Sequence, residues 1–428
     1  MERKREREIK PHRSCCKGVV FLYLCTLFLF LPVDVGATAF SWSFSGFGTL
    51  GLLRSDSDEL GFYRERSQIA PVMDSWKASS DSRLGFQVDV ELSDTMHSTV
   101  QWVPRDHAGE ILEQNLDWAF IRWSPGNDVD IRIGRVGFDS FLLSDYRNVG
   151  YAYPWMRPPH EFYANVPVSH FDGIDIKRLW NLGDGYLSLK AYGGYSSLFE
   201  DYLTIELDGP LAGANLVYEV GNWKFKGGYT FIKLAKEQRF LKDDLLFLSI
   251  DSEYIPGLEQ FESRMSVKGS RFHFMTLGAE YDDGTWLIQA EASYMNSEDI
   301  FHSDTASGYL SVGRRMGTVT LYSLFGISKT YDDKAVIPAI SPDYKDDSYA
   351  RETWEYWDSY LNLKNTDEKS VSIGLRWDFL PKFAFKAQWS HFWVVQGDTE
   401  LLWGMMHYNN DRSETTVNVV SFGIDFVF

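Results

Sequence analysis

The 428-residue sequence predicts an all-β fold, a transmembrane antiparallel β-barrel of sixteen strands. Three observations predict it. The clearest strands alternate between uncharged and polar side chains, tight turns alternate with long loops, and no segment beyond residue 39 is long and apolar enough to cross a bilayer as a helix. Only helices and closed sheets satisfy every backbone group in hydrocarbon, so an integral chain of this composition must close into a barrel.

Residues 1–39 read as a secretory signal peptide. Seven Lys or Arg lie within residues 1–18, Val19 to Leu31 form a thirteen-residue apolar core, and Ala37-Thr38-Ala39 offers small residues for cleavage before Phe40. A retained transmembrane helix would need roughly 20 apolar residues. Tyr23 and Leu24 before Cys25 argue against a lipoprotein. Cys15, Cys16 and Cys25 all fall in this segment, which excludes disulfides and Cys-ligated metals from the mature chain. Cleavage leaves 35 Lys+Arg against 56 Asp+Glu, a net charge of −21, which is no nucleic-acid binder. Residues 40–428 would ordinarily suggest more than one domain. No linker, low-complexity run or repeat divides them, so one large sheet is the simpler reading.

In chain order the strands are read at 40–51, 82–92, 96–103, 114–123, 128–136, 170–179, 186–195, 211–219, 223–232, 272–281, 285–294, 306–315, 318–329, 368–379, 382–393 and 416–428. Five of them carry the face test. At 84–92, 223–231, 370–379, 382–389 and 420–428, one parity set holds 24 residues and no charge, whereas nine of the 21 interleaved residues are charged. A charge facing lipid costs about 2–4 kcal/mol at the midplane, while a lumen charge stays hydrated. Tight turns such as Ser93-Asp94-Thr95, Gly221-Asn222 and Met316-Gly317 alternate with loops 52–81, 137–169, 233–271, 330–367 and 394–415. Asp208-Gly209 adds a possible hairpin inside one loop.

The last strand, VVSFGIDFVF, puts Val420, Phe422, Ile424, Phe426 and Phe428 on one face. With its terminal Phe428 it resembles the C-terminal signal of proteins inserted by the bacterial barrel-assembly machinery. A soluble strand can alternate in the same way; the rest of the chain decides for a barrel.

Across its mature length the chain resembles the Gram-negative trimeric porins, in which sixteen strands enclose a pore and the third long loop folds inward as a constriction. The resemblance implies an outer-membrane location among lipid and lipopolysaccharide, a homotrimer, no cofactor, and passive diffusion of small hydrophilic solutes and ions. Gly137 to His170 matches that loop in place and length. If the family carries over, Asp139, Asp145, Arg147, Arg157, His160 and Glu161 line the eyelet. Pro159-His160-Glu161-Phe162-Tyr163 departs from the Pro-Glu-Phe-Gly-Gly of general porins, so the path of the loop is not carried over with it. An arginine ladder is also missing: Arg83 and Arg132 face inward by parity, and Arg122 has no assigned face.

Lumen parity collects Arg132, Lys177, Lys190, Lys224 and Lys226 on the fifth to ninth strands, with Asp130 and Asp175 among them. Asp89 and Glu91 lie on the second strand, Glu280 and Glu291 on the tenth and eleventh, and Arg376 and Lys386 on the strands near the C-terminus. Opposed charged walls would set up a transverse field favouring small polar solutes. Any of these residues could equally be part of a solvated face.

Gly46 to Gly51 fits G-x-G-x-x-G, but it lies within a strand with no helix after it, so its glycines are read as thinning the lumen wall or facing a neighbouring subunit. The nine histidines show no metal-ligand spacing. Asp282-Asp283, Asp332-Asp333 and Asp346-Asp347 suit Ca²⁺ by composition, though such runs are usually solvated. An outer-membrane enzyme is the rival class; Ser169-His170, His302-Ser303 and Ser390-His391 are only sequence neighbours, with no third partner and no G-x-S-x-G. A channel specific for sugars or anions is the other alternative, with Tyr146, Tyr151, Tyr153 and Trp155 as an aromatic slide or as packing of the loop against the wall.

Overall fold

The computed structural model describes residues 41–65, 68, 70–106, 115–164, 168–200, 205–237, 241–298, 304–331, 335–361, 367–394, 405–407 and 416–428. The signal-peptide reading of residues 1–39 therefore lies outside the described residues, as do His302-Ser303 and Asp332-Asp333.

Sixteen strands form the barrel: β1 (Ser41–Ser55), β2 (Arg83–Ser93), β3 (Met96–Trp102), β4 (Leu116–Gly126), β5 (Val129–Gly137), β6 (His170–Leu182), β7 (Gly185–Glu200), β8 (Ile205–Val220), β9 (Trp223–Lys233), β10 (Arg271–Asp282), β11 (Trp286–Ser297), β12 (Thr305–Met316), β13 (Val319–Thr330), β14 (Glu368–Leu380), β15 (Phe383–Val394) and β16 (Thr416–Val427). Each pairs antiparallel with its neighbours. The circle closes on β1, whose first half pairs with β2 (Phe44 opposite Val88) and whose second half pairs with β16 (Leu50 opposite Ile424). A closed sheet leaves no edge to template aggregation. Short pieces decorate the long-loop end: Trp76–Lys77 pairs with β1, and Leu60–Phe62 pairs with Met405–His407.

Strand parity survives in the packing. Trp42, Phe44, Ile133, Leu277 and Ile373 on the outer wall are each more than half exposed, an apolar belt that water alone would not tolerate. Their neighbours in sequence point the other way, and Lys386, Ser421 and Asp425 are buried. Short turns use left-handed residues where the chain must reverse: Gly221 has φ 55°, and Lys382 takes φ 68° despite its side chain.

Three expectations need correction. Asp208-Gly209 is no turn, because β8 runs through it with Gly209 opposite Ser196. A side chain at Gly209 would collide with the backbone of Lys233, so the glycine is kept for close approach. Gly46 and Gly48 do not thin the lumen wall; they share the outer face with Phe44 and Leu50, and the rings of Phe428 and Phe426 occupy the space a Cβ would take. Loops 233–271 and 330–367, read only as long connections, carry helices among their described residues. After the short α1 (His160–Tyr163) of loop 138–169, they hold α2 (Leu241–Asp251) and α3 (Ser348–Leu361). Asp347 caps α3 by accepting from the amides of Tyr349 and Ala350 at 2.7 and 3.2 Å. Leu248, Ile255, Leu258, Phe261, Trp357 and Leu361 then make one apolar cluster between the two loops.

Candidate functional site

Loop 138–169 lies against the polar faces of most of the strands, and its bonds define the site. Asp139 accepts hydrogen bonds from Lys190 of β7 and Lys226 of β9. The Leu142 amide donates to Glu291 of β11 at 2.8 Å, and the same carboxylate accepts from Tyr163 and, at 2.7 Å, from Tyr309 of β12. Trp155 donates to Ser311 of β12 at 2.8 Å and the Met156 amide to Gln388 of β15 at 3.1 Å. Arg376 of β14 donates to the carbonyl of Tyr151 at 2.6 Å, its guanidinium 4.6 Å from that ring. Lys386 of β15 donates to the carbonyls of Gly150 and Trp155 at 2.6 and 2.7 Å and pairs with Asp425 of β16 at 2.7 Å. Glycines make room for the approach: a Cβ at Gly326 or Gly150 would meet the carboxylate of Glu161 or Asp425.

The electrostatics follow from burial and partners. Burial alone would raise the pKa of Asp139, but the charges of Lys226 and Lys190 outweigh it and hold the carboxyl well below the usual range. His160 hydrogen-bonds through Nε2 to the Tyr63 carbonyl at 2.7 Å, with Nδ1 3.3 Å from Glu368. Burial would lower its pKa; the Glu368 charge overrides this and raises it. Glu161 is pushed up to about 7 by burial and then by the charge of Glu368.

A second cluster joins the loop to the opposite wall. Asp81, fully buried, pairs with Arg157 at 2.7 Å and Arg64 at 3.0 Å. Those two charges overcome the burial that would raise its pKa and lower it. Arg157 also donates to Ser421 of β16. Arg105 reaches Asp117 at 3.3 Å, and Arg83 donates to Asn148 at 2.9 Å. Arg64, Glu65, Arg83, Arg147, Asn148 and Tyr163 are among the residues around a cavity of about 40 Å³.

The six loop residues singled out in the sequence thus divide. Asp139, Arg157, His160 and Glu161 are buried against the wall, Arg147 borders the small cavity, and Asp145 is exposed. The expected basic wall on β5 to β9 is largely neutralised: Arg132 holds Asp175 with contacts of 2.5 to 3.0 Å, and Lys190 and Lys226 share Asp139. Lys177 stands in register with Asp130 and Lys190. Asp89 accepts from Gln87 and Thr99 at 2.7 Å, Glu91 from Ser41 at 2.5 Å, and Glu280 from Gln289, while Lys224 comes within 4.0 Å of Glu219. Phe428 pairs with β1. Sequence reading missed Arg64, Asp81 and Arg105, which sit in loops where no periodicity marks a face. Tyr153 and Trp155 are buried and stacked at 5.9 Å, so they pack the loop and do not form an open slide. Asp282 and Asp283 serve the β10–β11 turn, the first pairing with Arg315 and the second accepting from the amides of Thr285 and Trp286 at 2.8 and 2.6 Å. Ser390 points to the inner side, bonded to Ser372, and His391 to the other, so that pair forms no dyad.

No family model matches the sequence, and no curated protein does. Solved structures do. The anion-selective porin from Comamonas acidovorans is 12% identical, covering 91% of this chain and 100% of its own with a TM-score of 0.50. OmpF of Salmonella typhi, solved with daunomycin, is 11% identical over 90% and 97% at a TM-score of 0.50. In-vitro folded OmpT of Vibrio cholerae, in its trimer form, is 10% identical over 91% and 100% at 0.50. Identities this low speak for the fold alone, and no helix among the described residues is long and apolar enough to cross a membrane. With its closed sixteen-stranded sheet and apolar outer belt, the chain has the porin-like fold of an outer-membrane β-barrel.

Proposed function

We propose that the mature chain, after loss of residues 1–39, is an outer-membrane porin: a water-filled channel for passive diffusion of small hydrophilic solutes and ions, with loop 137–170 as its constriction. The observation that carries this is the set of hydrogen bonds from loop 138–169 to inward-facing residues of β7, β9, β11, β12, β14, β15 and β16. A segment bound to that many inner faces narrows whatever passage the barrel leaves. Asp139, Arg147, Arg157, His160 and Glu161 shape that narrowing, Asp145 stays at its exposed edge, and the charges on the lumen parity of the strands line the approach. Phe428 serves insertion by the barrel-assembly machinery, and three copies assemble in lipid and lipopolysaccharide. No catalytic role is assigned. Ser169 and His170 touch at 2.9 Å at the end of the loop, a contact between chain neighbours that suits holding the loop's exit.

The test is single-channel conductance of the refolded mature chain in planar bilayers under a salt gradient. Stepwise openings grouped in threes support a trimeric pore, and the reversal potential gives its ion preference. A folded, heat-modifiable barrel that never conducts would overturn the reading.

A further inference from the structure

The outer wall is hollowed over β8 to β11. Leu216 of β8, Phe225 of β9 and Leu277 of β10 stand up from the sheet, 46%, 42% and 71% exposed, whereas Gly227, Ala290 and Ala292 carry nothing beyond Cβ. Leu277 stands in register between Gly227 and Ala292, so small residues flank it on both sides. The apolar groove they leave is about 550 Å³, within the range of about 300–1,000 Å³ of clefts that hold small molecules. Lys226 and Glu291 also border it, but their charged ends turn inward to Asp139 and to Tyr163 and Tyr309. Packing within the chain does not call for the hollow: a Cβ at Gly227 would meet Leu277 at an ordinary 3.4 Å. An empty groove forfeits the dispersion contacts of its lining, so in a bilayer hydrocarbon fills it.

A cation stands at the short-turn end of the same wall. Arg314 of β12 is exposed and opposite Trp286 of β11, its guanidinium 5.3 Å from the centre of that ring, and among the described residues it makes no ion pair. The carboxylates of the adjoining turn are engaged elsewhere, Asp282 with Arg315 and Asp283 with the amides of Thr285 and Trp286. Trp286 shares this end with Trp223 and Tyr281, whose rings lie 4.9 Å apart, and such aromatic belts sit at the level of lipid headgroups. Trp286 and Ala290 are four residues apart on β11, about 13 Å at about 3.3 Å per residue, and one leaflet of hydrocarbon is about 15 Å deep. A phosphate over Arg314 therefore lays its acyl chain along the groove. We propose that this face holds one anionic glycerophospholipid, its phosphodiester on the Arg314 guanidinium and an acyl chain in the hollow. Short turns face the periplasm in bacterial barrels, so the lipid belongs to the periplasmic leaflet, away from lipopolysaccharide. The site lies outside the lumen and does not depend on conduction. Arg178 of β6 is the internal contrast: it lies 5.2 Å from the Trp180 ring, but its outward neighbours Ile176 and Leu189 are large and exposed.

The experiment is native mass spectrometry of the refolded mature chain from detergent doped with equal amounts of phosphatidylglycerol and phosphatidylcholine bearing the same acyl chains. Wild type, Arg314→Gln, Ala290→Phe and Arg178→Gln are compared, each checked as a folded barrel by heat-modifiable migration, with Ala292→Leu replacing Ala290→Phe should that variant not fold. Wild type should retain the anionic lipid over the zwitterionic one about fivefold, the ratio that corresponds to about 1 kcal/mol for one arginine near an anionic headgroup. Arg314→Gln should bring the ratio close to one, Ala290→Phe should lower retention of both lipids severalfold by filling the groove, and Arg178→Gln should change neither. No preference in the wild type, an equal loss of preference in the two arginine variants, or retention that the filled groove leaves intact would overturn the site. So would loss of an oligomer mass in Ala290→Phe with lipid retention unchanged, which would assign the face to a second copy of the chain.

Discussion

Gly46 and Phe428 exchange both backbone hydrogen bonds, the Gly46 amide to the Phe428 carbonyl at 3.1 Å and the Phe428 amide to the Gly46 carbonyl at 2.9 Å. The last residue of the chain therefore zips the barrel shut, and its ring lies over a position that has no side chain. Phe428 also packs against Phe44 and Phe86 with centroids 5.9 and 6.4 Å away, so three strands share one aromatic patch at the seam. The terminal aromatic residue and the G-x-G of β1, two unconnected signals in the sequence, are the two halves of one contact.

Gly46→Leu should accordingly destabilise the seam. The added side chain must displace the Phe428 ring, and overpacking of this kind costs typically 1–3 kcal/mol. The heat-modifiability midpoint on gel electrophoresis should fall for Gly46→Leu and stay near wild type for Gly221→Asn, a turn substitution with nothing near it. Equal midpoints for all three would show that the ring carries none of the closure.

Asp139→Asn should release the loop from the wall. It leaves two lysines, Lys190 and Lys226, buried without their counter-charge, and breaking a buried pair in this way costs about 3–5 kcal/mol. Because the folded pKa of Asp139 is depressed, its contribution is present above the ordinary carboxylate range and is lost only as pH falls through the lowered value. Wild-type conductance should hence stay constant on this account from neutral to mildly acidic pH, while the variant shows larger and noisier openings throughout. A variant trace that matches wild type in size and noise would mean that Asp139 does not anchor the loop.

The strands were legible because lipid imposes parity on every spanning residue. The tenth strand, read at 272–281, is Arg271–Asp282, and Lys190, Lys226 and Lys386, on the polar parity of their strands, are buried. Legibility ended where lipid did. β8 begins at Ile205 and not at 211, because its first residues continue past the patterned part of the strand and Asp208-Gly209 mimics a turn. Arg64, Asp81 and Arg105 lie in connections with no repeating pattern, so only the folded chain brings their charges together. Helix α3 did carry a signal: Ala350, Trp357 and Leu361 recur at helical spacing behind the Asp347 cap and are buried.

The pair of carboxylates at Glu161 and Glu368 should make loop anchoring sensitive to pH. Glu161 titrates near 7 in the folded barrel against the ordinary 4.5, so its contribution is fully present below about 4.5 and is lost as pH rises through about 7. The raised His160 pKa works in the same direction. Thermal midpoints should be higher at pH 5 than at pH 8, by a stability difference on the order of 3 kcal/mol, and Glu161→Gln should flatten the dependence. A Glu161→Gln profile as steep as wild type would remove Glu161 from the account.

The two helical loops should unfold before the barrel does. Trp357 is fully buried between them and donates to Asp251 at 2.9 Å, with Tyr360 donating to Asp244 at 2.7 Å and Tyr344 to Glu253 at 2.9 Å, so the cluster is tied by a few large side chains and the polar bonds around them. Truncation of such a Trp costs about 3–5 kcal/mol, which is comparable to the stability of a cluster this small. The barrel strands below reach that core through Phe272 of β10, with Ile232 of β9 and Met295 of β11 against it, while their hydrogen bonds run around the closed sheet. Trp357→Ala should thus become cleavable by added protease within 234–270 and 331–367, while the heat-modifiability midpoint of the barrel stays within a few degrees of wild type. A matching fall in both would mean that the loop cluster and the barrel unfold as one cooperative unit, and that the helices above the rim stabilise the wall beneath them.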